Sequence, residues 1–476
     1  MDFASVVVFL FLYFIRPQDW ISGLGGAPLA SINIAWALLA LIARPGGFSP
    51  RALLKTPLDW VLLFYLCWVV YASPDGFATF KDARSLFIFY IVTMMALTTR
   101  DRLESYLAWW GVMVIGLAAL ALGSVLGIDI TGAGPLVDSM GGRLVVNTWM
   151  HNNPNALGHT VAGALPLIYF ALIWKRSTGS RVSGVLLIGL CCWCIALTQS
   201  KGSYIVAFVT FAMSQLLGRP RSAQIATLVV ALAFGGVALS QLPRMEKLSA
   251  SEEGIQGRLL VWEVARIAMK DKPYGAGWKT FDAQIRWGKE MIQKATHSSY
   301  VQIGAALGYT GLFLYCAILG CGFRVLLQAR TRNEHEERIR RMLFGLIFSF
   351  TCSNWLIDRA YHTEFFITLA AISAFHRLLN HGGPTPSEDV SATARPWNRG
   401  RLSRAVIGES GRLAVIHFSR LPTLKGLISR RIEAGNEDAQ TDGISWKRLG
   451  LLDIAVASAF FWGVLRVWDY TLKNFS

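Results

Sequence analysis

Apolar runs close to the length of a bilayer crossing recur from one end of this chain to the other, and no other feature restricts its fold as much. They lie near 2–15, 31–43, 57–73, 84–98, 105–126, 156–174, 184–198, 203–217, 223–242, 298–327, 342–357 and 363–379. A helix of about 20 apolar residues crosses the hydrocarbon core. Hydrophobic residues make up 53% and charged residues 16% of the 476, against roughly 25% charged in soluble domains. Length alone would suggest about three soluble domains. The runs point instead to an all-α, polytopic transmembrane bundle over residues 1–379, with about 12 spans, or 13 if Leu449–Trp468 also crosses.

Basic residues sort the connections into two sets. One set carries Arg44, Arg51 and Lys55; Arg100 and Arg102; Lys175, Arg176 and Arg181; Arg219 and Arg221; and Arg330, Arg332, Arg338, Arg340 and Arg341. The other carries chiefly Arg16, Lys81, Arg84, Arg143, Lys201 and Arg359. The positive-inside rule makes the first set cytoplasmic, so 127–155, 199–202, 243–297 and 358–362 face outward. The formal charge of +16 is thereby mostly a topology signal, and no nucleic-acid motif accompanies it. The first run lacks a basic n-region and a small-residue cleavage site, so it reads as a retained span. All seven cysteines fall in apolar runs and read as small buried hydrophobes. Residues 380–448 are polar, basic and rich in Pro, Gly and Ser, a cytoplasmic tail suited to an anionic leaflet. Segment 449–476 opens apolar, as a span or an interfacial helix.

The outward connections hold the candidate chemistry. Loop 243–297 is the longest, and Leu259, Trp262, Arg266 and Met269 recur in it at three- and four-residue steps, which predicts an amphipathic helix. Pro273 to Gly277 breaks that pattern. His297-Ser298 closes the loop at the mouth of the next span, Lys201 sits in a short turn, and Asn153-Pro154-Asn155 reads as a turn and cap before the sixth span. Lys201, Arg258 and His297 therefore fall at one level, near the outer surface.

In this order, the landmarks resemble those of the O-antigen ligase and polymerase superfamily of membrane glycosyltransferases, over about 140–375. They are Asn153-Pro154-Asn155 with Leu165-Pro166-Leu167; Ser200-Lys201-Gly202; Gly257-Arg258 with Trp262; and Pro273 through Gly277 with Phe281. Last comes His297-Ser298, nine residues, then Gly308-Tyr309-Thr310-Gly311, the most specific of the set. The family commonly has Arg where this chain has Lys201; lysine keeps the charge and loses the bidentate fork.

The resemblance implies a glycan donor on a polyprenyl diphosphate and a hydroxyl acceptor such as lipid A-core, handled at the periplasmic face of a bacterial inner membrane without a cofactor or metal. Breaking the sugar–phosphate bond puts negative charge on the diphosphate, which fixed cations stabilise. Arg258 is the first candidate, Lys201 assists, and Arg143 and Arg266 are further diphosphate ligands. His297 is the candidate base for the acceptor hydroxyl. Asn155, Trp262 and Ser298 are secondary candidates. Each also has a plainer reading: His297 as a satisfied interfacial histidine, Arg258 as a partner of Glu263 or lipid phosphate, Trp262 as an interface anchor, and Asp358-Arg359 as a local ion pair. A polymerase or a protein O-oligosaccharyltransferase would share this site. A transporter or flippase would instead show charges deep in its spans.

Overall fold

The computed structural model describes residues 2–44, 53–134, 141–216, 220–229, 253–287, 290–380 and 449–475, with positions 218 and 241. The basic tail, most of the ninth apolar run and the start of the long loop, 242–252, lie outside the described residues.

The described chain is mostly helical. Helices α1 Asp2–Phe14, α2 Pro17–Trp20, α3 Leu29–Ala43, α4 Pro57–Tyr71, α5 Gly76–Ala96 and α6 Arg100–Val125 come first. They are followed by α7 Pro154–Ile168, α8 Thr178–Thr198, α9 Lys201–Leu216 and a short helix α10 over 221–229. Then come α11 Glu253–Asp271, strands β1 Ala283–Trp287 and β2 Glu290–Lys294, and helices α12 Ser299–Gln328, α13 Glu334–Ser353, α14 Thr363–Asn380 and α15 Leu451–Phe475.

Capping sets many of the starts. Thr56 and Asp59 form a reciprocal capping box with Pro57 at the first position of α4, and Asp75, Thr99, Asn153 and Asn333 cap α5, α6, α7 and α13. Each side chain satisfies a backbone N–H that the first turn leaves without a partner.

Helix α7 is the axis of the bundle: every residue from Ala156 to Ile168 is buried, and α6, α8, α9 and α13 pack around it. Pro166 interrupts its hydrogen bonding, and one π turn follows over Tyr169–Ile173. Gly345 of α13 leaves the room that the Pro166 ring occupies, since an added Cβ would come within 2.8 Å of its Cγ.

Ion pairs gather at one end of the bundle. Arg44 and Arg102 meet Asp2 at 2.8 and 3.1 Å, Arg100 meets Glu336 at 2.7 Å, and Arg176 and Arg338 meet Glu104 at 3.3 Å. Arg44, Arg100, Arg102, Arg176 and Arg338, all of the first set, thus pair with acidic residues. They also explain why α13 begins at Glu334, well before its apolar run at 342.

Among the described residues, six helical segments are long and apolar enough to cross a membrane: Asp2–Trp20, Arg100–Val125, Pro154–Ile173, Thr178–Thr198, Ser299–Gln328 and Leu451–Asn474. Helices α3 and α4 are shorter apolar helices. Among the described residues this is fewer than the apolar runs predict, because Lys81, Asp82 and Arg84 dilute α5 and the Glu334–Arg341 turns dilute α13. Large side chains such as Trp36, Leu39, Ile42, Val185 and Leu186 are more than half exposed. In water such a surface would aggregate, whereas in a bilayer it meets hydrocarbon.

The long loop departs from the helical expectation. Helix α11 is there, but an antiparallel hairpin β1–β2 follows it, with Ile285 opposite Ile292. Val261 of α11, Ala283 and Ile285 form a small core beneath the hairpin.

The loop locks into α12 at a break in that helix. Gly308 takes φ 70° and ψ −167° inside α12. The groups it frees bond to the incoming loop: Tyr309 N–H donates to the Pro273 carbonyl at 2.9 Å, and Ala276 and Gly277 N–H donate to the Ala306 carbonyl at 2.8 and 2.9 Å.

Candidate functional site

A cavity of about 360 Å³ lies between α9, α11, β2 and the turn before α12. Arg143, Asn155, Lys201, Arg258 and His297 line it. Five sequence-predicted residues from four separate segments therefore converge.

Each is placed by its local backbone. Arg143 is pinned by its own hydrogen bonds, from Nε to the Thr198 carbonyl at 2.9 Å and from Nη2 to Asn155 Oδ1 at 2.8 Å. Asn155 thus orients a cation, while Asn153 caps α7 as expected by accepting from the N–H of Asn155 and Ala156. Gln199 ends α8 in a left-handed conformation and donates to the Gly142 carbonyl at 3.2 Å. The chain then reverses at once into α9, whose first residue is Lys201. Gly202 is needed because an added Cβ would stand 3.0 Å from His159 Nε2 and 3.2 Å from Leu356. The N-terminus of α9 adds its own partial positive charge beside Lys201.

Arg258 occupies the first turns of α11, and Gly257 beside it leaves the space through which Lys294 of β2 reaches the cavity. Lys294 and Gln199 are the polar side chains of the lining that the sequence did not flag. Alternation around Ile285 and Ile292, on either side of Gly288-Lys289, was the available hairpin signal; it would have put Lys294 on a strand leading into His297.

His297 is held from both sides. The indole N–H of Trp262 donates to the Thr296 carbonyl at 2.8 Å. Ser298 Oγ and Ser299 N–H both donate to the Asn354 carbonyl, at 3.0 and 2.7 Å. Between these pins His297 sits at φ 49°, a left-handed conformation that a non-glycine residue keeps only when its surroundings enforce it. Trp262 and Ser298 therefore act on the site through His297. Burial, with the charges of Arg258 and Lys294, lowers the His297 pKa from 6.5 to about 4.

The structure does not bring Arg266 to this cavity. Its Nε and Nη2 donate to the two carboxylate oxygens of Asp469 at 2.7 and 3.1 Å, and its Nη1 donates to Tyr309 Oη at 2.9 Å. The Asp358–Arg359 pair is also not formed as expected. Arg359 is buried against Glu364, 3.1 Å away, and Thr160 Oγ1. Asp358 instead faces a second cavity of about 410 Å³ with Lys279, Gln302 and Tyr361, and Lys294 borders both cavities. Burial raises the Asp358 carboxyl to about 6.

The O-antigen ligase family model matches residues 184–316. That segment is an O-antigen ligase domain. It carries most of α8, then α9, the described loop with its hairpin, and α12 through the Gly308 break, and so it contains Lys201, Arg258, Lys294 and His297. Arg143 and Asn155 reach the ligase domain's cavity from outside the matched residues. No curated protein matches the chain. With the apolar helices, the family match supports a multi-pass membrane protein that holds an O-antigen ligase-like segment.

Proposed function

We propose that the protein transfers a glycan from a polyprenyl diphosphate to a hydroxyl acceptor, lipid A-core or a similar lipid, at the periplasmic face of the inner membrane. In this reading it crosses the membrane twelve or thirteen times, and the basic tail 380–448 is cytoplasmic. The observation that carries the reading is the ring of Arg143, Lys201, Arg258 and Lys294 around His297 in one cavity of the ligase domain.

The acceptor oxygen attacks the anomeric carbon. His297 takes the hydroxyl proton as the new glycosidic bond forms. The bond from the anomeric carbon to the phosphate oxygen breaks, and its electron pair leaves with the diphosphate. Arg258, Lys201, Lys294 and Arg143 supply the compensating charge, which a low-dielectric cavity makes stronger than in water. At about 4 the histidine is neutral at physiological pH, the form able to accept a proton. Protein cations do all the charge compensation in this scheme, and it calls for no metal.

The test is transfer by purified protein in liposomes, given a polyprenyl-diphosphate glycan and a panel of acceptors, with chelator present. Transfer to a lipid acceptor that Arg258→Ala and His297→Ala both lack supports the ligase. Lengthened lipid-linked chains would identify a polymerase, glycosylated serine or threonine a protein O-oligosaccharyltransferase, and inactivity towards every acceptor would count against transfer chemistry.

A further inference from the structure

Helix α15 lies far outside the ligase domain in sequence, yet it is attached to the segment that holds His297. It runs antiparallel along α12: Asp453 meets Arg324 at 2.5 Å near one end, and Asp469 lies by Tyr309 and Arg266 at the other. Both side chains of the Arg324–Asp453 pair are largely buried. Trp468 is fully buried. Its indole stands against Gly304 of α12, where an added Cβ would meet it at 3.0 Å.

From Trp468 a short relay leads to the site. Its indole N–H donates to the Trp262 carbonyl at 3.2 Å, and the Trp262 indole N–H donates to the Thr296 carbonyl at 2.8 Å, one residue before His297. Beside this relay, Asp469 holds Arg266 through both carboxylate oxygens, and the Arg266 guanidinium lies over the Trp468 ring at 5.8 Å. Two tryptophan N–H groups and a bidentate ion pair thus tie α15 to α11 and α11 to the histidine. Such directional bonds exceed what a lipid-facing anchor requires, since greasy packing alone would hold it.

We infer that α15 is a brace for the transfer site, with Trp468 and Asp469 as positioning residues that fix α11 and the Thr296–His297 segment relative to each other. The inference rests on the reading of His297 and Arg258 given above. It accounts for Arg266, which binds the brace and leaves the diphosphate to other cations. It also gives α15 a role at the end of α12 away from Arg324.

The test uses the full chain in nanodiscs, with Trp468→Phe, which keeps an aromatic ring and loses the N–H, and Asp469→Asn, which keeps the size and loses the charge. Asp469→Glu is the conservative control. Transfer kinetics are read beside the titration of His297 itself, from the NMR of labelled histidine, assigned with His297→Ala. The groups facing His297 are Arg258 of α11, Lys294 of β2, Lys201 of α9 and Arg143. A loosened α11 admits water and withdraws Arg258, so the titration should rise from about 4 by about one unit. The Trp468→Phe/Asp469→Asn double variant should lose kcat/KM for the donor by about 10-fold or more, whereas Asp469→Glu alone should keep most of the parent's value. Folded variants with the parent's kcat/KM and the parent's titration would overturn the brace, as would a loss that merely follows a lower Tm with His297 unmoved. A shifted titration in variants whose transfer, like that of His297→Ala, equals the parent's would uphold the brace and reject His297 as the base.

Discussion

Replacing Gly308 by alanine tests the joint on which the loop hangs. Its φ of 70° with ψ −167° lies where only glycine is comfortable, and holding another residue there costs about 1–3 kcal/mol. An added Cβ would also press on the Pro273 carbonyl and stand 2.6 Å from Gly275 N; these are backbone atoms, and overpacking of this kind costs about 1–3 kcal/mol. The loop can escape by lifting away. It then loses the three hydrogen bonds from Tyr309, Ala276 and Gly277, each worth about 0.5–1.5 kcal/mol net. The protein takes the cheaper route, so the expected loss is about 2–4 kcal/mol. Gly189 on α8 is the control: nothing lies within 4 Å of an added Cβ there, and alanine in a helix gains about 0.5–1 kcal/mol over glycine. Thermal unfolding in one detergent at one scan rate should put Gly308→Ala well below the parent and Gly189→Ala at or just above it. Because the 273–277 loop ties α11 to α12, Gly308→Ala should lose transfer as well. A Gly308→Ala protein as stable and active as the parent would refute the account of the joint.

Several other perturbations read the site directly. His297→Ala should insert normally and abolish transfer, measured against membrane protein level; near-parental turnover by that variant would remove the histidine from the chemistry. Lys201→Arg should be tolerated and Lys201→Ala should not, since charge is what the turn supplies; equal donor turnover by Lys201→Ala and the parent would make the residue a bystander. The His297 pKa is depressed, so below its unfolded value of 6.5 the unfolded chain binds the extra proton first. Its contribution to stability is therefore complete above 6.5 and is lost as pH falls from 6.5 through about 4; a Tm series across that window should show a steeper fall for the parent than for His297→Ala. Arg359→Met leaves Glu364 buried without its partner, a loss of about 3–5 kcal/mol. Adding Glu364→Gln should recover part of that stability in a double-mutant cycle, and additive losses would show that the two do not interact.

Much of this was legible in sequence because the membrane simplifies the code. An apolar run that must satisfy its own backbone becomes a helix, and the runs near 2–15, 105–126, 156–174, 184–198 and 298–327 lie in helices. The site was legible where a residue sits at a forced point of the chain. Lys201 follows a turn too short to go anywhere else, and His297 ends the loop at the mouth of α12. Lys294 was missed because its place depends on the pairing of β1 with β2, and a five-residue strand in a charged loop carries little periodicity. Arg266 was misread for the opposite reason. Its helical spacing was right, but its partner, Asp469, lies 203 residues away on a helix that no local pattern connects to the loop. Asp358 and Arg359 show the same limit: adjacent opposite charges invite a pairing that the fold declines, because Arg359 turns inward to Glu364.

The arrangement of the cations has a consequence for the order of events in the proposed reaction. Arg258 and Lys294 depress the proton affinity of His297 to about 4 after burial has already lowered it, so with the cavity empty the histidine is neutral but a weak base. A bound diphosphate brings negative charge to the same two side chains and cancels their influence, which moves the imidazole back toward its ordinary affinity. Base strength then arrives with the donor. An acceptor that enters first meets a histidine poorly able to take its proton, and water in the empty site is handled no better. In kinetic terms the acid limb of kcat/KM for the donor, which reports the free enzyme, should fall near 4, while the limb of kcat, which reports the loaded enzyme, should lie between 4 and 6.5. Removing one cation by Lys294→Gln should narrow the gap between the two limbs, because less repulsion is left for the donor to relieve.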